Sequence, residues 1–589
     1  MRRYWFMVAV TGLAAGSISV AIPPALAVAP AAFPSPLAGR IPSDAQVYFG
    51  WAGPVAKWPG YKTSNLRVVV SHTHIADFIQ GNLPMLLHRF NQLPAARNTQ
   101  LHISEFKKAF AIGSLLMTHP FAVYFRPIST GIRNVAPVPQ VVLIMNAGKY
   151  PAVVLAIFKK LPRRLYPTGP RISVGTVGSM VYAGIHITPG VRKALAHRGK
   201  TLATDAGFCR TMRFMPAHPV SAEFADLTQL RAYGNTLLDQ ALHHAAPRRS
   251  PMGKHQRIIL NSAKIILNGR SFHNAVAYAS ADGFAGKQWL NASFLALRHA
   301  TDKPTPGAAD MLALAPEDSP SVTVSHWNAG AFARTFKTYL EVAGPKMHRK
   351  VQQVLTMVNG ITGVDVEKDL INAFGPYWLT YQSPAMPMSS SLGQVLVNKL
   401  AHPQRLSRAL QTLTPMALLA VNAAMRERGY NGKPAQLRIL HSHGATIYYI
   451  KAAAVMPAWA IAHGYFYFSA FPRPIEVALA RHADARSILD NKKFIALQNQ
   501  LGCARNYTNA AFVDQPRLLP DAYATLTTEA ATYSLLLGLQ FNPPITSLIP
   551  RLSDLQKSTT TSGSVTWTDP AGWHSRSISG YPGSSLLVP

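Results

Sequence analysis

Two pairs of histidines stand two residues apart, His72 and His74 with Asp77 close behind, and His441 with His443. On a strand, residues i and i+2 share a side, so either pair could offer two imidazoles to a zinc or copper ion. Neither pair has a third ligand at a fixed spacing, and 21 histidines in one chain produce such pairs by chance, so no metal site is expected. Ser104 and Lys107 have the Ser-x-x-Lys spacing of an activated serine, yet the companion Ser-Asp-Asn and Lys-Thr-Gly segments are missing. A serine opening a helix serves as an N-cap, and that is the expectation for Ser104. No nucleophile elbow, zincin helix, phosphate loop, dinucleotide fingerprint or calcium loop occurs, so no cofactor is expected either. Carboxylates are scarce, and Asp365, Glu367 and Asp369 read as a solvated helix start rather than as a catalytic acid pair. The aromatic runs Phe49-Gly50-Trp51 and Tyr465-Phe466-Tyr467-Phe468, with Trp459, read as strand residues of a core, although flat rings also line ligand grooves.

Alternating hydrophobicity predicts strands in QVYFGW (46–51) and RISVGTVGSMVYAGI (171–185). AVVLAIFKKL (152–161) has helical spacing and ends on Lys159 and Lys160, which suit a helix C-terminus. The first half then reads as a strand at 47–51, helices at 75–90 and 104–117, strands at 121–126 and 141–146, and a helix at 151–161. A hairpin at 171–187, short helices at 191–197 and 205–212, and strand stretches at 220–233 and 264–297 complete it. The second half repeats strands at 377–381, 395–398, 445–452 and 465–470 with helices at 403–413 and 474–482. The expected fold class is α+β, antiparallel sheet with packed helices in a split β-α-β order.

Much of the pattern occurs twice. VVLIMNAGKYPAVVLAIFKKL (141–161) aligns without a gap to GQVLVNKLAHPQRLSRALQTL (393–413), which sets Asn146 over Asn398 and Pro151 over Pro403. MVYAGIHITPGVRKALA (180–196) matches GYFYFSAFPRPIEVALA (464–480), IPSDAQVYFGWAG (41–53) resembles APEDSPSVTVSHWNAG (315–330), and ADGFAGKQWL (281–290) answers TDPAGWHSRS (568–577). Retained order predicts an internal duplication into two tandem modules. The boundaries read as a signal peptide at 1–27, an Ala/Pro-rich linker at 28–40, repeat unit 1 with a β-tail at 41–300, a linker at 301–309, and repeat unit 2 with its β-tail at 310–589.

Arg2 and Arg3, the apolar stretch from Trp5 to Val20, and Ala25-Leu26-Ala27 have the order of a secretory signal with a small-residue cleavage site. No later apolar run reaches the roughly 18–20 residues of a spanning helix, so the expectation is peripheral rather than transmembrane. Lys and Arg number 58 against 25 Asp and Glu, a formal net charge of +33, which favours anionic partners. The cations are scattered without interleaved aromatics, so an anionic envelope surface or polymer is expected as partner rather than nucleic acid. Only Cys209 and Cys503 occur, which excludes a disulfide scaffold and leaves either one bridge between the modules or two buried thiols.

IPSDAQVYFGWAG, LVNKLAHPQRLSRALQTL and PAWAIAHGYFYFSAFPRPIEVALA together resemble a family of exported bacterial proteins of uncharacterised activity. Its pattern opens P-x-D-x-x-x-Y after the signal and continues to W-A-x-x-x-G-Y. The first module departs from it, having VGSMVYAG where the Trp-Ala hairpin belongs. The resemblance implies an envelope or periplasmic protein and carries over no catalytic residue. The expected function is a non-enzymatic binding or structural role. Its alternatives are an exported hydrolase assembled from distant residues, with His72, His74 or Ser104 as candidates, or a small-ligand carrier using the cleft between modules.

Overall fold

The computed structural model describes residues 35–582 except 55–56, 59, 73–80, 83–84, 86–114, 117, 130–136, 160–169, 246–249, 300–306, 387–391, 428, 430–431, 452–455, 482–484, 503–506, 537–540, 543 and 545–547. The signal peptide, most of the 28–40 linker, most of the 301–309 linker, His74, Asp77, Ser104, Lys107 and Cys503 lie outside the described residues.

The strands of the first half are β1 (Val47–Trp51), β2 (Phe121–Ile128), β3 (Val138–Asn146), β4 (Ile172–Val177), β5 (Met180–Ile185), β6 (Ser221–Asp226), β7 (Ala275–Ala285) and β8 (Gln288–Leu297). Those of the second are β9 (Ser321–His326), β10 (Phe374–Gln382), β11 (Gln394–Leu400), β12 (Gln436–Ser442), β13 (Ala445–Lys451), β14 (Ala458–Ala462), β15 (Tyr465–Ser469), β16 (Asn509–Val513), β17 (Ser562–Asp569) and β18 (Gly572–Ser579). All belong to one sheet, and every pairing is antiparallel. Across the sheet the ladders run β4-β5-β3-β2-β1-β6-β7-β8 and then, through the β8–β18 pairing, β18-β17-β16-β9-β10-β11-β15-β14-β13-β12. The strand order therefore reads the same outward from the β8–β18 seam on both sides, except that the second half adds the β12–β13 hairpin at its outer edge.

Among the described residues the longer helices are α1 (Asn65–Ser71), α2 (Pro151–Phe158), α3 (Pro189–Leu195), α4 (Ala206–Met212), α5 (Leu227–His243) and α6 (Pro251–Asn268) in the first half. In the second they are α7 (Ala329–Ala343), α8 (Pro345–Thr362), α9 (Pro403–Glu427), α10 (Pro472–Leu479), α11 (Lys492–Leu501), α12 (Gln515–Leu536) and α13 (Leu552–Ser558). One face of the sheet carries two apolar cores. Tyr48, Ala122, Tyr124, Ile144, Tyr182, Phe224, Ala279 and Phe294 pack under α3 and α4, through Leu195, Phe208 and Met212. Val322, Leu379, Tyr381, Val397, Tyr467, Phe512 and Val565 pack under α10 and α11, through Ile475, Phe494 and Leu497. Local chemistry sets the element ends. Proline occupies the first turn of α2, α3, α6, α8 and α10, where its missing N–H costs nothing. Asp205, Asp226, Asn328 and Asn491 cap α4, α5, α7 and α11 by accepting backbone N–H groups.

Three expectations are corrected. Residues 220–233 are a strand only to Asp226, whose carboxylate then caps α5 and turns the chain into a helix. Residues 264–268 end α6, and the strands begin at Ala275. Asn146 and Asn398 are not counterparts: Met145 faces Phe121, whereas Asn398 faces Trp378, so the ungapped alignment is one residue out of step inside this strand. Asn398 is fully buried, accepting from Gly375 N–H at 3.0 Å and donating to Gly375 O at 3.0 Å and Tyr377 O at 2.9 Å, where the β10 register shifts. A Cβ at Gly375 would stand 2.1 Å from Lys399 O, so only glycine fits that bulge. Asn146 instead accepts from Gly148 N–H at 3.1 Å in the turn before α2.

Candidate functional site

The second face of the sheet is polar where the halves join. Strand alternation and register place Ser221, Asp282, Asn291, Ser577 and Ser564 in one row crossing β6, β7, β8, β18 and β17, and Glu223, Ser280, Ser293, Ser575 and Thr566 in the next. At ~4.8 Å per strand the strip is ~19 Å wide. Asp282 accepts from Ser221 Oγ at 2.7 Å and from Asn291 Nδ2 at 3.0 Å. Burial raises the Glu223 carboxyl above its ordinary value, and the neighbouring Asp282 charge adds to the rise. Burial also raises the Tyr278 phenol, with both carboxylates contributing and Ser280 and Ser293 opposing. Among the described residues no cation pairs with Glu223 or Asp282, although the chain has 58 Lys and Arg. At one end the strip meets rings: Trp51 against Trp58 at 5.0 Å, and Phe284 against Trp289 at 5.2 Å.

The midpoint of the seam is the Ala292–Arg576 pair, facing the opposite, apolar side. Burial holds the Arg576 guanidinium below its ordinary value. Nearby His574 Nε2 lies 2.8 Å from Asp569 Oδ2 while its ring stacks on Trp567 at 4.1 Å. Burial lowers the imidazole against the opposing pull of Asp569. Helices cross the seam on the strip side, α1 packing on α13 and α7 on α6.

Among the described residues the sequence candidates are not brought together; His74, Asp77, Ser104 and Lys107 lie outside them. His72 sits at the C-terminal end of α1, not on a strand, with Nδ1 2.7 Å from Val68 O. His441 lies on β12, but His443 occupies a two-residue turn with positive φ, so the pair does not share a strand face. Among the described residues no group of three or more His, Cys, Asp or Glu could hold a metal ion. Cys209 is exposed and free rather than buried, and its thiol donates to Ala203 O at 3.2 Å. Asp365 caps the turn that follows α8, accepting from Glu367 and Lys368 N–H, as a helix start should. Tyr467 is core, whereas Trp459 and Phe468 are not fully buried. The strip itself was not legible, because Glu223 and Asp282 are far apart in sequence and meet only through the β6–β7 ladder.

A second surface stands out by exposure. Phe332 is 57% exposed and Phe336 50%, their rings stacked at 6.2 Å on α7, with exposed Trp327 5.8 Å from Phe332. On α8, Met347, Val354, Met357 and Ile361 recur at helical spacing as one exposed stripe, Ile361 at 67%. Arg334, Lys337, Lys346, Arg349 and Lys350 are exposed among them, and Glu341 is the one acid between 329 and 362. No described helix is long and apolar enough to cross a membrane. Comparison with protein-family models, curated proteins and solved structures finds no match to this chain.

Proposed function

We propose that this chain is an exported, non-enzymatic protein of the bacterial envelope, built as two copies of one α+β unit, whose α7–α8 hairpin docks it peripherally on an anionic lipid surface. The observation that carries the reading is the coincidence of an exposed apolar stripe with five cations and one acid on a single helical hairpin. Apolar side chains entering the headgroup boundary gain about 25 cal/mol per Å² removed from water. Each Lys or Arg near an anionic surface adds about 1 kcal/mol. The net charge of +33 supports attraction to such a surface, and repetition of strand order about the seam supports two copies.

Co-sedimentation of the mature chain with vesicles tests the docking. Binding is expected to phosphatidylglycerol vesicles and not to phosphatidylcholine ones, and to weaken as salt rises because exposed charges are screened. Phe332→Ser with Phe336→Ser should reduce binding at least about tenfold. Lys346→Ser, Arg349→Ser and Lys350→Ser together should flatten the salt dependence. Equal binding to both vesicle types, or an unchanged double phenylalanine variant, overturns the reading.

A further inference from the structure

The second half carries a cleft built on a hairpin that has no counterpart among the described residues of the first. It lies between α9 and the β12–β13–β14 strands, has a volume of about 540 Å³, and depends on the β12–β13 hairpin. Tyr448 and Trp459, opposite one another on β13 and β14, form its aromatic wall, their rings 5.8 Å apart and 17° from parallel. Ser407, Gln411 and Thr414 face it from successive turns of α9. Their side chains have no hydrogen-bond partner among the described residues, whereas Thr412, next to Gln411 but outside the lining, is bonded back to Arg408 O at 3.0 Å.

The lining contains no Lys, Arg, Asp or Glu, in a chain where 14% of residues are charged. His463 is the single imidazole of the lining, and an ionised ligand would find no Lys, Arg, Asp or Glu partner there. An acyl chain would cover the hydroxyls of Ser407 and Thr414 and the amide of Gln411 without bonding them, which is unfavourable. What fits is an uncharged ligand with a flat apolar face and hydrogen-bonding groups around its edge. The volume is within the usual range for small-ligand sites, about 300–1,000 Å³. We propose that this cleft binds a neutral saccharide, one ring lying on Trp459 and Tyr448 and its hydroxyls bonded by Ser407, Gln411 and Thr414.

Calorimetric titration of the full mature chain with maltotriose, cellotriose and chitotriose, with lauric acid and glucose 6-phosphate as contrasts, tests this. At least one trisaccharide should bind with one-to-one stoichiometry. Trp459→Ala should weaken it at least about tenfold, and Gln411→Ala, on the exposed side of α9, about threefold to tenfold with unchanged circular dichroism. Trp573→Ala, at the seam, should leave the affinity unchanged. No binding of any trisaccharide, equal affinity in the Gln411→Ala variant, or preference for lauric acid or the phosphorylated sugar overturns the proposal. Vesicle docking by α7–α8 is read separately, so either result stands without the other.

Discussion

The two halves of the sheet share their framework in detail and differ where they face solvent or a neighbour. Ile41 O accepts from Leu202 N–H, and Ala315 O accepts from Ile488 N–H in the same place. The bridge Pro42–Thr201 recurs as Pro316–Ser487, and each bridge leads into a capping box, Thr201 with Thr204 and Ser487 with Asp490. Ala222 and Phe224 on β6 stand where Ala510 and Phe512 stand on β16, with Asp226 and Asp514 two residues further along each. Tyr124 and Tyr381 are both buried, and burial raises both phenols. Yet Glu223 answers to Ala511 and Asp282 to Thr566, so the carboxylates occur on one side of the seam alone. Helix α9 has 25 residues against 8 in α2, and among the described residues the β12–β13 hairpin occurs in the second half alone. Apolar packing and backbone satisfaction constrain the buried positions, while the polar strip and the outer edge are under no such constraint.

The comparison breaks most easily in the core. Phe224→Ala and Phe512→Ala should each cost about 3–5 kcal/mol in denaturant unfolding, and by similar amounts. A shared sheet should then unfold in one transition for both variants, and two separated transitions would break the equivalence. A smaller effect separates two arginines. Arg481 donates to Ala313 O, Ala485 O and Arg486 O, each at 2.9 Å, so Arg481→Ala should cost about 1.5–3 kcal/mol. Arg40 donates to Leu195 O alone and is more exposed, and Arg40→Ala should cost about 1 kcal/mol, which the same denaturation measurement resolves.

Charge on the strip sharpens the contrast further. Glu223 takes up a proton more readily folded than unfolded, so its contribution is favourable below the unfolded value of about 4.3 and is lost as pH rises through the raised folded value. Glu223→Gln should therefore stabilise the protein at pH 7, by about 1 kcal/mol or less, and the gain should vanish toward pH 4. Ala511→Glu should be destabilising at pH 7 by less than Glu223 is, since no Asp282 charge stands beside it; denaturation midpoints at the two pH values measure both. The smallest effect belongs to His574, whose counterpart in register is Leu290. Burial lowers its imidazole, so its contribution is present above the unfolded value of about 6.5 and is lost as pH falls through the folded one. His574→Leu should flatten stability between about pH 7 and 5 by a few tenths of a kcal/mol, read from thermal midpoints.

Local signals were legible to the extent that they act locally. The helix expected at 151–161, which runs Pro151–Phe158, and the strand at 47–51 were plain because apolar spacing and two-residue alternation act over a few positions. The strand expected over 220–233 failed because Asp226 acts as a cap only once β6 is held between β1 and β7. The Asn146–Asn398 alignment failed because one added residue before α2 leaves the helix start in step and moves the strand out of it. Periodicity carries no information on that difference, since both asparagines continue an apolar pattern.

The sequence by itself determined the mixed α+β composition, the two-fold recurrence of its motifs, the basic charge and the lack of any recognisable catalytic motif. Each of these is written in residue type and short spacing. Only the tertiary structure decided that β8 pairs with β18, that Glu223 and Asp282 share a half-buried face, that α7 lies on α6, and that α9 with the β12–β13 hairpin leaves a cleft. Those contacts join residues tens to hundreds of positions apart. Bringing them together depends on complementary packing and loop closure across the whole chain, which no local period encodes.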